Sequence, residues 1–104
     1  MNYLETAKGA AQITGDFLLK ELGRLTADHI TEKGMNDFVT TVDFKAEKMI
    51  TDFILKQFPD HSILAEETGL SDQQSPYMWI IDPLDGTKNY IHKIPQFGVS
   101  IALM

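Results

Sequence analysis

At 104 residues, with 43% hydrophobic and 23% charged residues, the chain has the make-up of one small soluble globular domain. A formal net charge of −6 and a pI near 4.8 argue against a nucleic-acid or anionic-membrane surface as its main partner, and an acidic protein that handles phosphates would need cations. There is no cysteine and hence no disulfide; Glu5, Lys8 and Asp16 break any early signal-like run, no stretch nears the ~20 apolar residues of a membrane span, and the expected location is the cytoplasm.

In chain order, Leu4, Ala7, Ala11, Phe17, Leu18, Leu22 and Leu25 recur at roughly helical spacing and predict a long scaffold helix over residues 3–25. Gly9, Gly15 and Gly23 each cost helix stability, which suggests close packing against a second helix. Residues 26–37 carry turn formers and no period, so a loop is expected. Phe38–Val42 is short and β-branched, a strand or extended entry. A second helix then opens at Asp43 and runs to Phe58, with an apolar stripe of Ala46, Met49, Ile50, Phe53, Ile54 and Phe58, and Pro59 ends it. Asp43 has a ready structural role as the helix N-cap.

His61–Glu67 reads as a strand running into paired carboxylates. Strand neighbours point to opposite faces, so at most one of Glu66 and Glu67 should face a given ion. Thr68-Gly69 turns the chain and residues 70–76 are a polar loop. The apolar run Tyr77–Ile81 then stops at Asp82, and Pro83 bends the chain because it has no N–H for a sheet ladder. Asp85, Gly86 and Thr87 follow at once. Two nearby carboxylates repel unless protonated or bridged by a cation, and a hard ion such as Mg²⁺ is the simplest bridge. If Thr87–Tyr90 begin a helix, its free N–H groups favour an anion at the same place, and metal plus anion suggests phosphate chemistry. Ile91–Pro95 is a linker and Phe97–Met104 a last strand. His29, His61 and His92 lack metal-ligand spacing and are expected at the surface or in caps.

Three rival readings of Asp82–Thr87 fare worse. A calcium EF-hand loop needs a glutamate at its twelfth position, where Lys93 stands. An aspartyl-phosphate phosphatase would need its nucleophile at position 83, which is Pro83. A bare turn accounts for the D-P and D-G pairs but not for Asp43, Glu66 and Glu67.

The stretch Asp82-Pro83-Leu84-Asp85-Gly86-Thr87-Lys88-Asn89-Tyr90 resembles the signature of the inositol monophosphatase family of Mg²⁺-dependent, lithium-sensitive phosphatases. Asp37–Asp43, Ile63–Glu67 and Phe97–Ile101 fall in that family's order, so the resemblance covers essentially the whole chain. It implies an α/β fold of the α+β layered sugar-phosphatase type, with two long helices packed on a mainly antiparallel sheet. The family's enzymes are considerably longer. Residues 1–104 are therefore expected to be the N-terminal part of such a domain, the more so because Gly98–Met104 reads as a core-like strand with no polar tail.

The resemblance also implies roles. Glu66, Asp82 and the Leu84 carbonyl would hold one Mg²⁺, and Asp82 and Asp85 would share a second, two or three ions in all. Glu67 would be paired with a cation or support Glu66. Asp43 and Thr87 would orient the attacking water, making Asp43, Thr87 and Glu66 the catalytic set. Glu66, Leu84, Asp85, Gly86 and Thr87 would line the substrate, with the Gly86 and Thr87 amides on the phosphate. The 26–37 loop would lie near the active site. Asn89-Tyr90-Ile91-His92 resembles the branch acting on inositol monophosphate; fructose 1,6-bisphosphate and 3′-phosphoadenosine 5′-phosphate are the alternatives, as is a non-catalytic metal-binding piece that needs its C-terminal half. The partner is a small phosphate ester, with no nucleic acid and no membrane, and homodimers are common in the family.

Overall fold

The computed structural model describes residues 2–34 and 37–104. Helix α1 spans Tyr3–Glu21, capped by the Asn2 side chain, which accepts from the Glu5 N–H at 2.8 Å. It ends four residues short of the expected boundary because the chain turns at Gly23, whose φ of +85° is left-handed and favours glycine. Leu18 of the predicted stripe is buried, and Ala7, Phe17, Leu22 and Leu25 pack against the core as expected, but the most buried positions include small residues outside that stripe. Thr6, Ala10, Thr14 and Leu18 are buried, one helical turn apart, while Leu4 is 64% exposed. Small residues win this face because a second helix comes close: a Cβ on Gly9 would lie 2.7 Å from the Phe53 ring. Gly15, by contrast, has no neighbour within 4 Å of such a position and is not a packing glycine.

The expected loop at 26–37 is largely a hairpin. A 3₁₀ turn at Ala27–His29 leads into β1 (Ile30–Gly34), which pairs antiparallel with β2 (Asp37–Thr40). Cross-strand pairing of Ile30 and Thr31 with Thr40 and Val39 overrides the turn-rich composition. Met35 and Asn36, part of that predicted loop, lie outside the described residues.

Helix α2 (Thr41–Gln57) starts two residues earlier than expected, and its N-cap is Thr40. Asp43 sits three positions into a capping box, accepting from the Thr40 N–H at 3.0 Å while its own N–H donates to the Thr40 hydroxyl at 3.2 Å. The main sheet has the order β4-β3-β5-β6, from β4 (Gly69–Ser71), β3 (Ser62–Ala65), β5 (Met78–Asp85) and β6 (Gly98–Leu103). Its β3–β5 pair is parallel and the other two pairs antiparallel. Strand β4 occupies the start of the predicted polar loop, because the left-handed Gly69 turns Leu70 and Ser71 back onto β3.

Helices α1 and α2 pack on each other and on one face of this sheet. Ile50 and Ile54 of α2 meet Ile63 and Ala65 of β3 and Trp79 and Ile81 of β5, as period-2 alternation requires. A second cluster of Leu18, Val42, Ala46, Leu84 and Tyr90 closes the other end, where the Tyr90 hydroxyl donates to the Leu18 carbonyl at 2.8 Å. Burial, with the charges of Glu21 and Asp43 nearby, pushes the Tyr90 phenol up to about 12, so it stays a donor. Among the described residues no helix is long and apolar enough to cross a membrane.

The histidines divide. His29 accepts from the Thr26 N–H at 3.2 Å and His92 caps a short helix, as expected. His61 is buried instead, stacked on Phe58 and Tyr77, and its Nδ1 accepts from the Trp79 indole N–H at 2.9 Å. Phe58, close in sequence, and Tyr77 and Trp79, brought in by the sheet, make this a packed position. Replacing His61 by Leu leaves a buried indole N–H without an acceptor, and chemical denaturation should show a loss of about 1–3 kcal/mol.

Candidate metal and phosphate site

Strand β5 runs past the expected stop at Asp82, and the reason lies in its pairing with β6. Asp82 pairs with Ser100 and Asp85 with Gly98, so three steps on β5 match two on β6. That is a β-bulge with one extra residue. Pro83 is buried inside the bulge, where its missing N–H breaks no regular ladder bond. In a regular strand, an odd spacing of three would send Asp82 and Asp85 to opposite faces. The extra residue cancels that, and both line one cleft.

The cleft has a volume of about 290 Å³. Asp43, Glu66, Glu67, Asp82, Leu84, Asp85, Gly86 and Thr87 line it, together with Lys33 and Lys88. Every residue singled out from the sequence is therefore at one place. Glu66 arrives through the parallel register: Ala65 pairs with Ile81, and the Glu66 N–H continues the ladder to the Ile81 carbonyl at 3.1 Å. The next step along both strands puts Glu66 beside Asp82. Strand β3 has already ended at Ala65, so strict alternation does not separate Glu66 from Glu67. Their surroundings differ all the same. The Glu66 side chain is 50% exposed and lies 4.0 Å from the Lys33 ammonium. The Glu67 side chain is 5% exposed and is held by Lys33 at 3.0 and 3.2 Å.

On the opposite wall Asp43 is buried, and its Oδ2 accepts from the Thr87 hydroxyl at 3.2 Å. That hydroxyl also reaches the Leu84 carbonyl at 3.1 Å. It has one proton for two acceptors, so one bond forms at a time and its lone pairs stay available. Gly86 precedes α3 (Thr87–Ile91) with φ +96°, and a Cβ there would come within 3.0 Å of the Gln96 carbonyl. Burial pushes the Asp43 carboxyl up from 3.8 despite bonds from Thr40 and Thr87. Burial also raises Asp82, helped by the charges of Asp85 and Glu47; the Leu84 N–H and Lys33 oppose it.

Five carboxylates and two ammonium groups line the cleft, and the donors are all oxygens, so the set fits a hard divalent cation. Among the described residues no three acidic side chains already stand around a single point at ligating distance. Gripping an ion needs side-chain rotation at Glu66 and Asp85, both of which are exposed. Sequence reasoning missed Lys33, Lys88 and Glu47. Glu47 carried a signal, for it stands one turn from Asp43 on the apolar stripe of α2 and is 1% exposed.

Known proteins align with this architecture. The model of the inositol monophosphatase family matches residues 1–104. A fructose-1,6-bisphosphatase/inositol-1-monophosphatase of Aquifex aeolicus is 49% identical over 102 residues, 98% of this chain and 39% of that protein. A protein named Nus factor SuhB in Haemophilus influenzae is 46% identical over 101 residues, 96% of this chain and 38% of its own length. The crystal structure of extragenic suppressor protein suhB from Bartonella henselae superposes with a TM-score of 0.91 at 38% identity, covering 96% of this chain and 39% of that one. The chain thus spans about 39% of the length of such relatives.

Two outcomes follow from the geometry. Gly86→Ala should cost about 1–2 kcal/mol in thermal or chemical unfolding, since alanine resists a left-handed φ. The second concerns Asp82. Its folded-state affinity for a proton is raised, so its contribution to stability is full below pH 3.8 and is lost as pH rises through the folded value. In divalent-free buffer Asp82→Asn should therefore melt higher than the wild type at neutral pH, and the gap should close as pH falls below 3.8.

Proposed function

The chain belongs to the inositol monophosphatase family, and we propose that it is the N-terminal part of a Mg²⁺-dependent phosphomonoesterase that supplies the metal-binding and water-orienting residues. The observation that supports this most is the bulge in β5, which puts Asp82 and Asp85 in one cleft with Glu66 and the Asp43–Thr87 pair. Glu66, Asp82, Asp85 and the Leu84 carbonyl would hold the magnesium, which when bound acidifies a water and offsets charge on the phosphate.

The chain's own groups do the rest. Asp43 holds the Thr87 hydroxyl by accepting its hydrogen bond, leaving the Thr87 lone pairs to accept from a water and aim it. Asp43 accepts with both oxygens while ionised, and its burial raises its affinity for a proton. Amides of Gly86 and Thr87 bind phosphate oxygens, with Gly86 leaving room for close approach. Lys33 and Lys88 add positive charge at the rim, which suits an anionic ester. Inositol monophosphate is the favoured substrate, from the branch-like Asn89-Tyr90-Ile91-His92 and from the name of the Aquifex aeolicus relative, which also keeps fructose 1,6-bisphosphate in view.

A second reading has its own support. Several relatives carry the name Nus factor SuhB at 42–46% identity. A role of that kind would use the surface and leave the cleft dispensable. It also weighs against ruling out further macromolecular partners on the net charge of −6 alone.

Assays with Mg²⁺ and inositol phosphate, on the chain and on its full reading frame, test the phosphatase reading. Asp85→Asn should lower turnover on the order of 100-fold. Survival of activity in that variant would refute the metal assignment. Thr87→Ala should lower kcat ~100-fold while leaving Mg²⁺ affinity close to wild type; equal loss of both would refute the water-orienting role.

A further inference from the structure

Glu47 is a buried carboxylate with no ion-pair partner within 4.0 Å among the described residues. Its oxygens are both engaged, Oε1 accepting from the Glu67 N–H at 2.8 Å and Oε2 from the Thr68 N–H at 3.0 Å. An unpaired buried charge is expensive, and an apolar residue on the α2 stripe would avoid that cost. Charge-assisted bonds to two consecutive amides repay part of it. What those bonds hold is the backbone immediately after Glu66.

Glu66 is pinned from both sides. Its own N–H donates to the Ile81 carbonyl at 3.1 Å, fixing the peptide before it. The peptide after it is fixed by the Glu67 N–H on Glu47. With both flanking planes held, the backbone angles of Glu66 are set, and its side chain leaves the chain beside Asp82. We infer that Glu47 is a positioning residue that clamps the Glu66–Thr68 turn so that Glu66 is preorganised for a divalent cation shared with Asp82. The inference rests on the metal reading of the cleft. Asp43 and Glu47 then form a pair one turn apart on α2, both buried, Asp43 fixing the Thr87 wall and Glu47 the Glu66 wall.

Calorimetric titration of the 104-residue chain with Mn²⁺ tests this as a double-mutant cycle. Glu47→Gln keeps the shape but has one acceptor oxygen for two amides. It should weaken Mn²⁺ about 10-fold in the wild-type background and less than ~2-fold in the Glu66→Gln background, where there is nothing left to position. The Glu67 and Thr68 amides should also exchange with solvent faster in Glu47→Gln, by NMR. Ile54→Val, a core variant away from the cleft, should lower stability and leave Mn²⁺ affinity unchanged. Where Glu47→Gln unfolds, Glu47→Asp, which withdraws the carboxylate by one methylene, takes its place in the cycle. An equal penalty in both backgrounds, or none in either, overturns the positioning role while Glu66→Gln still weakens Mn²⁺. Unchanged Mn²⁺ affinity in Glu66→Gln alone would instead overturn the metal reading, and the inference with it.

Discussion

One extra residue in a strand governs the site. A β-strand alternates its side chains, so carboxylates three apart, like Asp82 and Asp85, should look opposite ways. The bulge against Ser100 and Gly98 absorbs the odd step and turns both into one cleft. Proline is tolerated there because the bulge is the one place in the strand where a missing N–H goes unnoticed. The same kink delivers Leu84 into the second apolar cluster and brings Gly86 against Gln96 and Phe97. Packing behind the bulge and chemistry in front of it are thus consequences of one local irregularity.

The second element of the design is α2, which is more than a core helix. Its apolar residues Ile50 and Ile54 anchor it to the sheet, while its first two turns bury Asp43 and Glu47. Capping fixes Asp43, and backbone amides fix Glu47. These are costly groups to bury in a fold that, as it stands, gains little from them. The raised proton affinity of Asp43 expresses that cost, and burial raises Asp82 of β5 in the same direction. A fold that concentrates like charge in this way stores an affinity for cations, and Lys33 meets part of it through Glu67.

Much of this was legible in the chain. The apolar stripe of α2, the strands at 62–65 and 78–81, and the run from Asp82 to Thr87 all carry strong local patterns. So did the convergence of Glu66 with the two aspartates, once the resemblance had supplied an order. What failed did so for tertiary reasons. The burial of Thr6 and Thr14 on α1 is not legible, because threonine looks like a surface residue until a neighbouring helix comes within reach of Gly9. The hairpin at 30–40 was misread because strand pairing overrode a turn-rich composition. The spacing of His61 points to the surface or a cap, and only the folded chain shows Phe58, Tyr77 and Trp79 closing around it.

By itself the sequence determined which residue types are available and roughly where the chain must stop, cap or bend: a helix start near Asp43, Pro83 and Gly86 at a turn, acids at the strand ends. Those are local preferences, set by backbone sterics and hydrogen-bonding capacity within a few residues. The folded structure decided which acids share a face, since that depends on the register of β3 against β5 and on a bulge defined only by its partner strand. It also decided what Glu47, a glutamate on the apolar stripe of α2, meets when it faces inward: the amides of Glu67 and Thr68. Pairing and burial are relations between distant segments, and no local pattern encodes them.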